Sequence, residues 1–176
     1  MIGLKRGLVM LKDHCTSWAP EAEKVIDCLR DIFGNYAIDI QHIGSTSIIG
    51  IKAKPIIDIA VGVATFEKLD VFLPALEQHG VYKSSGQPFD NIVLFSRDNP
   101  ETGSRVNNIQ MVIHGSDEWN SHILFRDYMN SHPDKAHEYE KIKSEAAERF
   151  PKDVLAYSAY KNIFIQKCIS EAKNNS

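Results

Sequence analysis

One acid in an apolar strand is the residue of this chain best suited to carry chemistry. Asp58 stands in residues 55–63, a run that is otherwise almost wholly apolar and predicts a strand covered on both faces. An ionised carboxyl group among isoleucine and valine side chains is costly unless a cation or several hydrogen-bond donors meet it. We therefore predict that Asp58 binds a charged group. The alternative is that Asp58 only fixes the preceding loop by accepting hydrogen bonds from its backbone amides.

The loop before this strand has the composition of a phosphate-binding turn. Residues 37–43 alternate as a strand that places His42 on its more apolar face, and Gly44, Ser45 and Thr46 follow directly. Small residues allow backbone N–H groups to approach an anion, and the hydroxyl groups are further donors. We predict that these loop residues bind phosphate. His42 is a candidate ligand-binding residue, with a hydrogen-bonded core histidine as the alternative.

Four basic side chains are candidates to neutralise a bound anion. Lys54, at the entrance of the apolar strand, could reach a phosphate as a point charge. Arg97 and Arg105 lie on predicted strands and could clamp an anionic ligand through two hydrogen bonds, although exposed strand arginines are common. Lys161 follows Tyr157 by one helical turn and shares its face, so it is either a site residue or a lysine stem lying over the tyrosine ring.

Two helices are predicted around this loop and its strands. Apolar residues recur at helical spacing over residues 18–33, with Ser17 as the N-cap. A second helix is predicted from a cap at Thr65 to about residue 78. Pro74 lies inside that second pattern and should bend or split the helix.

Three further strands are predicted, at residues 81–84, 91–97 and 105–113. Gly86-Gln87-Pro88 marks a loop between the first two, and residues 99–103 form a turn that joins the last two into an antiparallel hairpin. In the last strand Asn108 and Gln110 share a face.

From Ser116 onward the chain is predicted to be helical. Ser116 caps the first of three helices, Pro133 starts the second and Pro151 the third. The predicted fold class is α+β, with a mixed β-sheet and packed helices over about residues 1–115 and a helical extension over about residues 116–172. No long or flexible linker separates the two parts, so we expect residues 1–176 to form a single domain.

The overall composition is that of a soluble globular protein. A net charge of -3 and a pI near 6.2 argue against general nucleic-acid binding. No apolar run is long enough for a membrane span, and the N-terminal residues are too polar for a secretion signal. The 3 cysteines are scattered and fit neither a disulfide framework nor a zinc site, so we expect free thiols and a cytoplasmic location. The oligomeric state is left open.

The order of strand, Gly-Ser loop and acid-bearing strand resembles the opening of the nucleotidyltransferase superfamily. Residues 42–47 (HIGSTS) and 53–58 (AKPIID), with Gly50 between them, resemble the GrpB-like proteins more closely. The likeness extends over nearly the whole chain. It continues through Trp18, Phe125-Arg126-Asp127-Tyr128, His132-Pro133, Tyr139, Tyr157 and Lys161.

The resemblance implies a nucleotidyltransferase-like fold and a phosphorylated small-molecule ligand such as a nucleotide. Ser45 and Thr46 would hold phosphate, and Asp58 would be a catalytic residue that binds a divalent metal such as magnesium. Lys54, Arg97 and Lys161 would neutralise charge. If the protein is an enzyme, it would transfer a nucleotidyl group by in-line attack on the α-phosphate, mainly through positioning and electrostatics. GrpB-like domains fused to dephospho-coenzyme A kinases also imply a link to coenzyme A metabolism.

The chain departs from the family and superfamily patterns at several positions. Ile49 replaces a proline of the family, and Asn107, Asn108 and Gln110 occupy a strand where the family usually has histidines. The second acid of the superfamily strand is Ala60 here. One carboxylate rarely assembles a two-metal clamp, so the alternative is a non-catalytic ligand-binding or regulatory module that keeps the fold. An interaction scaffold built on the C-terminal helices is a third hypothesis.

Overall fold

A computed structural model of the protein, which describes residues 2–85 and 91–174, contains a mixed five-stranded sheet. The predicted loop at residues 86–88 lies outside the described residues. In chain order the strands are β1 (Ala37–Ile43), β2 (Ile57–Val63), β3 (Val81–Lys83), β4 (Ile92–Asp98) and β5 (Arg105–Ile113). Their order in the sheet is β1-β2-β5-β4-β3, with β2 and β5 parallel and the other neighbours antiparallel. The predicted strands and the β4–β5 hairpin are therefore confirmed.

Helix α1 (Trp18–Phe33) covers one face of the sheet with its apolar stripe. The odd-numbered residues of β2, from Ile57 to Val63, point into this core. The predicted cap at Ser17 is wrong, because its backbone is already helical at φ -74° and ψ -13° and its side chain makes no capping bond. The Ser17 hydroxyl instead lies 3.0 Å from the Cys15 thiol.

The second predicted helix is split at its proline, as expected. A short 3₁₀ helix at Leu69–Phe72 leads into α2 (Leu73–Gln78), which carries Pro74 in its first turn. The predicted start at Thr65 is wrong, because that side chain accepts a hydrogen bond from Glu67 N at 3.1 Å in a turn before the helix.

Three helices follow the sheet, as predicted: α3 (Asp117–Ser131), α4 (Pro133–Arg149) and α5 (Val154–Asn174). Ser116 caps α3 by accepting a hydrogen bond from Trp119 N at 3.3 Å. Trp119 packs against Ile43, Ala60 and Val112 on the second face of the sheet. Within residues 2–85 and 91–174, no helix combines the length and apolar composition needed to span a bilayer.

The segment between β1 and β2 joins the sheet to these helices. Ile48 and Ile51 are fully buried in a cluster formed mainly by α3, α4 and α5. Asn130 of α3 accepts from Ile49 N at 2.9 Å and donates to Ser47 O at 3.0 Å. The loop predicted to bind phosphate is thus held between the sheet and the three helices.

Candidate functional site

Asp58 and Gly44 are packed directly against each other. The β1–β2 register places Asp58 opposite Ile43, the residue before the glycine. Gly44 has φ 72°, and a Cβ added there would lie 2.5 Å from Asp58 Oδ2. Ser47 donates through its Oγ and its N to Gly44 O, at 2.6 and 3.2 Å, which closes the turn. Glycine is therefore required at this position both by its backbone conformation and by the carboxylate.

A row of polar side chains connects Asp58 to the edge of the β4–β5 hairpin. Asn108, opposite Asp58 in the parallel register, donates through Nδ2 to Asp58 Oδ1 at 2.8 Å. Arg105 Nη1 donates to Asn108 Oδ1 at 3.1 Å, and Arg105 Nε donates to Asp98 Oδ1 at 2.7 Å. Hydrogen bonds from Arg105 and Arg6 outweigh burial and lower the pKa of Asp98. Asp58 takes its bond from Asn108 and, within the described residues, none from the loop amides, contrary to the alternative drawn from the sequence.

A cavity of about 740 Å³ opens beside this carboxylate, a volume typical of small-molecule sites. Its floor is the second face of the sheet with the loop, and its walls are α3, the Tyr139 region of α4, and α5. The predicted site residues that line it are Gly44, Ser45, Thr46, Lys54, Asp58 and Lys161. The sheet, the loop and the last helix together bring these six residues into one space.

Two lysines of the cavity lie over the ring of one tyrosine. The ammonium groups of Lys54 and Lys161 lie 5.2 and 5.4 Å from the centre of the Tyr157 ring. Burial, with Lys161 nearby, lowers the pKa of Lys54. Burial also opposes the charge of Lys161, but Tyr139, Tyr157 and Asp58 outweigh it and raise its pKa. Burial raises the pKa of Tyr157 to about 12, so the phenol is neutral at physiological pH.

The hydroxyl groups of the loop have different partners. Ser45 Oγ lies 3.2 Å from the hydroxyl of Tyr139, on the cavity side. Thr46 is buried, and its Oγ1 lies 2.9 Å from His42 Nε2. Ser45 is therefore better placed than Thr46 to donate to a ligand in the cavity.

Three predicted ligand-binding residues do not line the cavity. His42 lies on the opposite face of β1 beside a smaller pocket, where burial and then Arg126 lower its pKa to about 4. Arg97 is exposed on the α1 face of the sheet, near Cys28. Arg105 stands behind Asn108.

Two titratable side chains near the cavity were not predicted from the sequence. His122 of α3 lines the cavity, and burial lowers its pKa. Lys143 of α4 is fully buried, donates to Lys52 O, and lies 4.6 Å from the centre of the Tyr139 ring. In the sequence, Lys143 falls at helical spacing with Tyr139 and Ala146, which are both buried, and this spacing indicates that Lys143 is buried as well.

The side chains around Asp58 do not fit a two-metal centre. Ala60, the next residue of β2 on the same face, has no ligand to offer, and its partner Gln110 is an amide. Across residues 2–85 and 91–174, no three histidine, cysteine or carboxylate side chains group as a metal site. Asp58 alone cannot hold the pair of ions used to stabilise both oxygens of an in-line displacement.

The sheet, the glycine-serine loop and the acid-bearing strand define a nucleotidyltransferase-like fold. Cid1 poly(U) polymerase has a similar fold, with a TM-score of 0.53 and 14% identity over 78% of this chain and 44% of that chain. A GrpB protein from Enterococcus faecalis is more similar, with a TM-score of 0.85 and 26% identity over 94% of this chain and 98% of that one. The model of the GrpB protein family matches residues 8–171, and the chain belongs to this family.

Curated relatives agree with this assignment. The glutamate-rich protein GrpB of Alkalihalophilus pseudofirmus is 36% identical over 97% of this chain and 99% of its own length. The UPF0157 protein YqkA of Bacillus subtilis is 32% identical over 89% of this chain and 45% of its own length. A dephospho-CoA kinase of Mycolicibacterium paratuberculosis is 24% identical over 90% of this chain and 44% of its own length. The resemblance and the fold class predicted from the sequence are confirmed.

Proposed function

We propose that the cavity binds a phosphorylated small molecule, with a nucleotide as the first candidate class. The observation that carries this proposal is the placement of two lysine ammonium groups over one tyrosine ring, in the cavity that the glycine-serine loop also lines. Lys54 and Lys161 both line the cavity and are both half-buried, and Asp58 is the acid that acts on each of them. Two partly buried ammonium groups that act on each other repel, as the effect of Lys161 on Lys54 shows, and a ligand phosphate bound to both would offset that repulsion.

The loop and the tyrosines give this anion directional partners. Ser45 Oγ can donate to a phosphate oxygen, and Gly44 keeps the loop backbone close to the cavity floor. The hydroxyl groups of Tyr139 and Tyr157, which also line the cavity, can donate as well. Of the site residues predicted from the sequence, this proposal keeps Gly44, Ser45, Thr46, Lys54 and Lys161 around the ligand.

Nucleotides are favoured within the phosphorylated ligands by two comparisons. Cid1 poly(U) polymerase, which shares the fold, has been crystallised with MgATP. Dephospho-CoA kinases contain a region similar to this chain, which also makes coenzyme A precursors worth testing. These two comparisons determine which ligands we would test first.

A second candidate function is nucleotidyl transfer, with Asp58 as catalytic residue. Its support is that Asp58 lines the cavity beside the loop in a nucleotidyltransferase-like fold. Turnover of labelled ATP, lost in Asp58→Asn while nucleotide binding persists, would support it. A lack of turnover with every nucleotide and acceptor tested would favour the non-catalytic binding or regulatory module. Ala60 and Asn108 support that alternative because neither residue supplies a carboxylate.

Equilibrium binding of ATP, CTP, GTP and coenzyme A tests the proposed function. We expect Lys161→Met to weaken binding by about 10- to 100-fold, because each lost charge-assisted contact costs about 1.5–3 kcal/mol. The matched control is Lys167→Met, which removes an exposed lysine from the same helix. Equal affinity of wild type and Lys161→Met, or no binding of any of the four ligands, would contradict the proposal.

A further inference from the structure

The carboxylate of Asp58 accepts a hydrogen bond from Asn108 and interacts electrostatically with Lys161. Asn108 Nδ2 donates to Asp58 Oδ1 at 2.8 Å, so one carboxylate oxygen already has a partner. The other oxygen, Oδ2, faces Gly44. A magnesium ion requires oxygen ligands in near-octahedral geometry and gives up its bound waters reluctantly, so proteins usually bind it through one or two carboxylates together with ligand phosphates.

Arg105 determines which end of the Asn108 amide faces Asp58. An arginine side chain has only donors, and Arg105 Nη1 lies 3.1 Å from Asn108 Oδ1. The amide oxygen must therefore face Arg105, and the NH₂ group must face Asp58. Asp98 holds Arg105 in place through a 2.7 Å ion pair. The amide oxygen that could have bound a metal is thus occupied by the guanidinium group.

Lys161 supplies positive charge on the cavity side of the same carboxylate. Its ammonium group lies over the Tyr157 ring and interacts electrostatically with Tyr139 and Asp58. Lys54 lines the cavity over the same ring. A divalent cation placed beside Asp58 would be repelled by both ammonium groups.

We propose that this cavity binds a phosphoryl group as the free anion, without a divalent metal. Lys161 supplies the positive charge that the metal ion would otherwise provide, and Arg105 orients the Asn108 donor toward Asp58. Arg105 is a positioning residue in this arrangement, since it acts through Asn108. This inference rests on the proposed function, namely that the cavity binds a phosphorylated molecule. The shared chemistry is a phosphoryl anion, carried by a nucleotide or present as inorganic phosphate.

Calorimetric titrations of inorganic phosphate, AMP and ATP into the wild-type protein test the inference, each in EDTA and in excess magnesium chloride. We expect at least one of them to bind in EDTA, with magnesium changing the affinity by less than about threefold or weakening it. Binding that tightens by more than about tenfold with magnesium would overturn the inference while leaving the proposed function intact. No binding of any of the three in either condition would overturn the inference, and the proposed function falls as well if CTP, GTP and coenzyme A also fail to bind. The three ligands distinguish a nucleotide site from a simple phosphate site.

A titration of magnesium alone tests the role assigned to Asn108. We expect no binding to the wild type and measurable binding to Asn108→Asp, which places a second carboxylate beside Asp58. Asn120→Asp, at an exposed position of α3, is the matched control and should behave as wild type. Thermal unfolding of each variant establishes that it is folded. Magnesium binding to the wild type, or its absence in folded Asn108→Asp, would show that Asn108 does not exclude the metal.

Discussion

Replacing Gly44 with alanine is expected to abolish ligand binding in the cavity. The new Cβ would lie 2.5 Å from Asp58 Oδ2 and 3.0 Å from Asp58 Cβ, so either the carboxylate or the loop must move. The backbone conformation at φ 72° and ψ -169° adds about 1–3 kcal/mol of strain for any residue with a Cβ. Binding of whichever of ATP, CTP, GTP and coenzyme A the wild type binds, measured by calorimetry, should fall by at least about 100-fold.

Gly50→Ala provides the control for Gly44→Ala. Gly50 lies in the same connection at φ 81°, but a Cβ added there meets no atom within 4 Å. It therefore carries similar backbone strain without the collision with Asp58. We expect Gly50→Ala to lose some stability and keep its ligand affinity. If both variants lose affinity equally, strain in the loop explains the effect and the contact between Gly44 and Asp58 does not.

Replacing the buried Lys143 with methionine is expected to stabilise the protein at low pH and destabilise it at high pH. Burial, with Lys161 nearby, lowers the pKa of Lys143 to about 7 from the 10.5 of an unperturbed lysine. Between these two values the unfolded chain binds more protons than the fold, so this lysine makes stability rise with pH across that window. Below pH 7 the penalty is constant, at about 5 kcal/mol.

The hydrogen bond from Lys143 to Lys52 O opposes this gain. Methionine leaves that carbonyl without its donor, at a cost of about 1–3 kcal/mol. We therefore expect Lys143→Met to be about 2 kcal/mol more stable than wild type near pH 6 and less stable near pH 10. Denaturant unfolding at both pH values measures the difference, with the exposed Lys141→Met as control. A difference that does not change with pH would show that Lys143 titrates normally in the fold.

The sequence was most informative where the signal is local. Alternation along β1 and β5 and the apolar run of β2 predicted those strands closely, and the helix-breaking role of Pro74 follows from its missing N–H group. The placement of Asp58 beside the loop also followed from chain order, since consecutive strands bring their ends together. These features depend on neighbours within a few residues, which a single sequence contains.

The candidate site was predicted less well where it depends on which face a strand presents. His42 precedes Ile43 on β1, and only the register with β2 shows that Ile43, opposite Asp58, shares the cavity face while His42 turns away. Arg97 shares its face with Val93 and Phe95, which pack toward α1. Lys143 was missed because its burial requires α4 to pack against the segment before β2, a contact distant in sequence.

The anchoring of the β1–β2 connection by the helices makes the two halves of the chain mutually dependent. Ile48 and Ile51 insert among α3, α4 and α5, and Glu140 of α4 accepts a hydrogen bond from Lys52 N at 2.9 Å. A chain shortened after residue 115 would expose both isoleucines to water and free the turn that carries Ser45. Conversely, a ligand bound in the cavity would contact both halves at once, so ligand binding should slow amide hydrogen exchange in α5 as well as in β2.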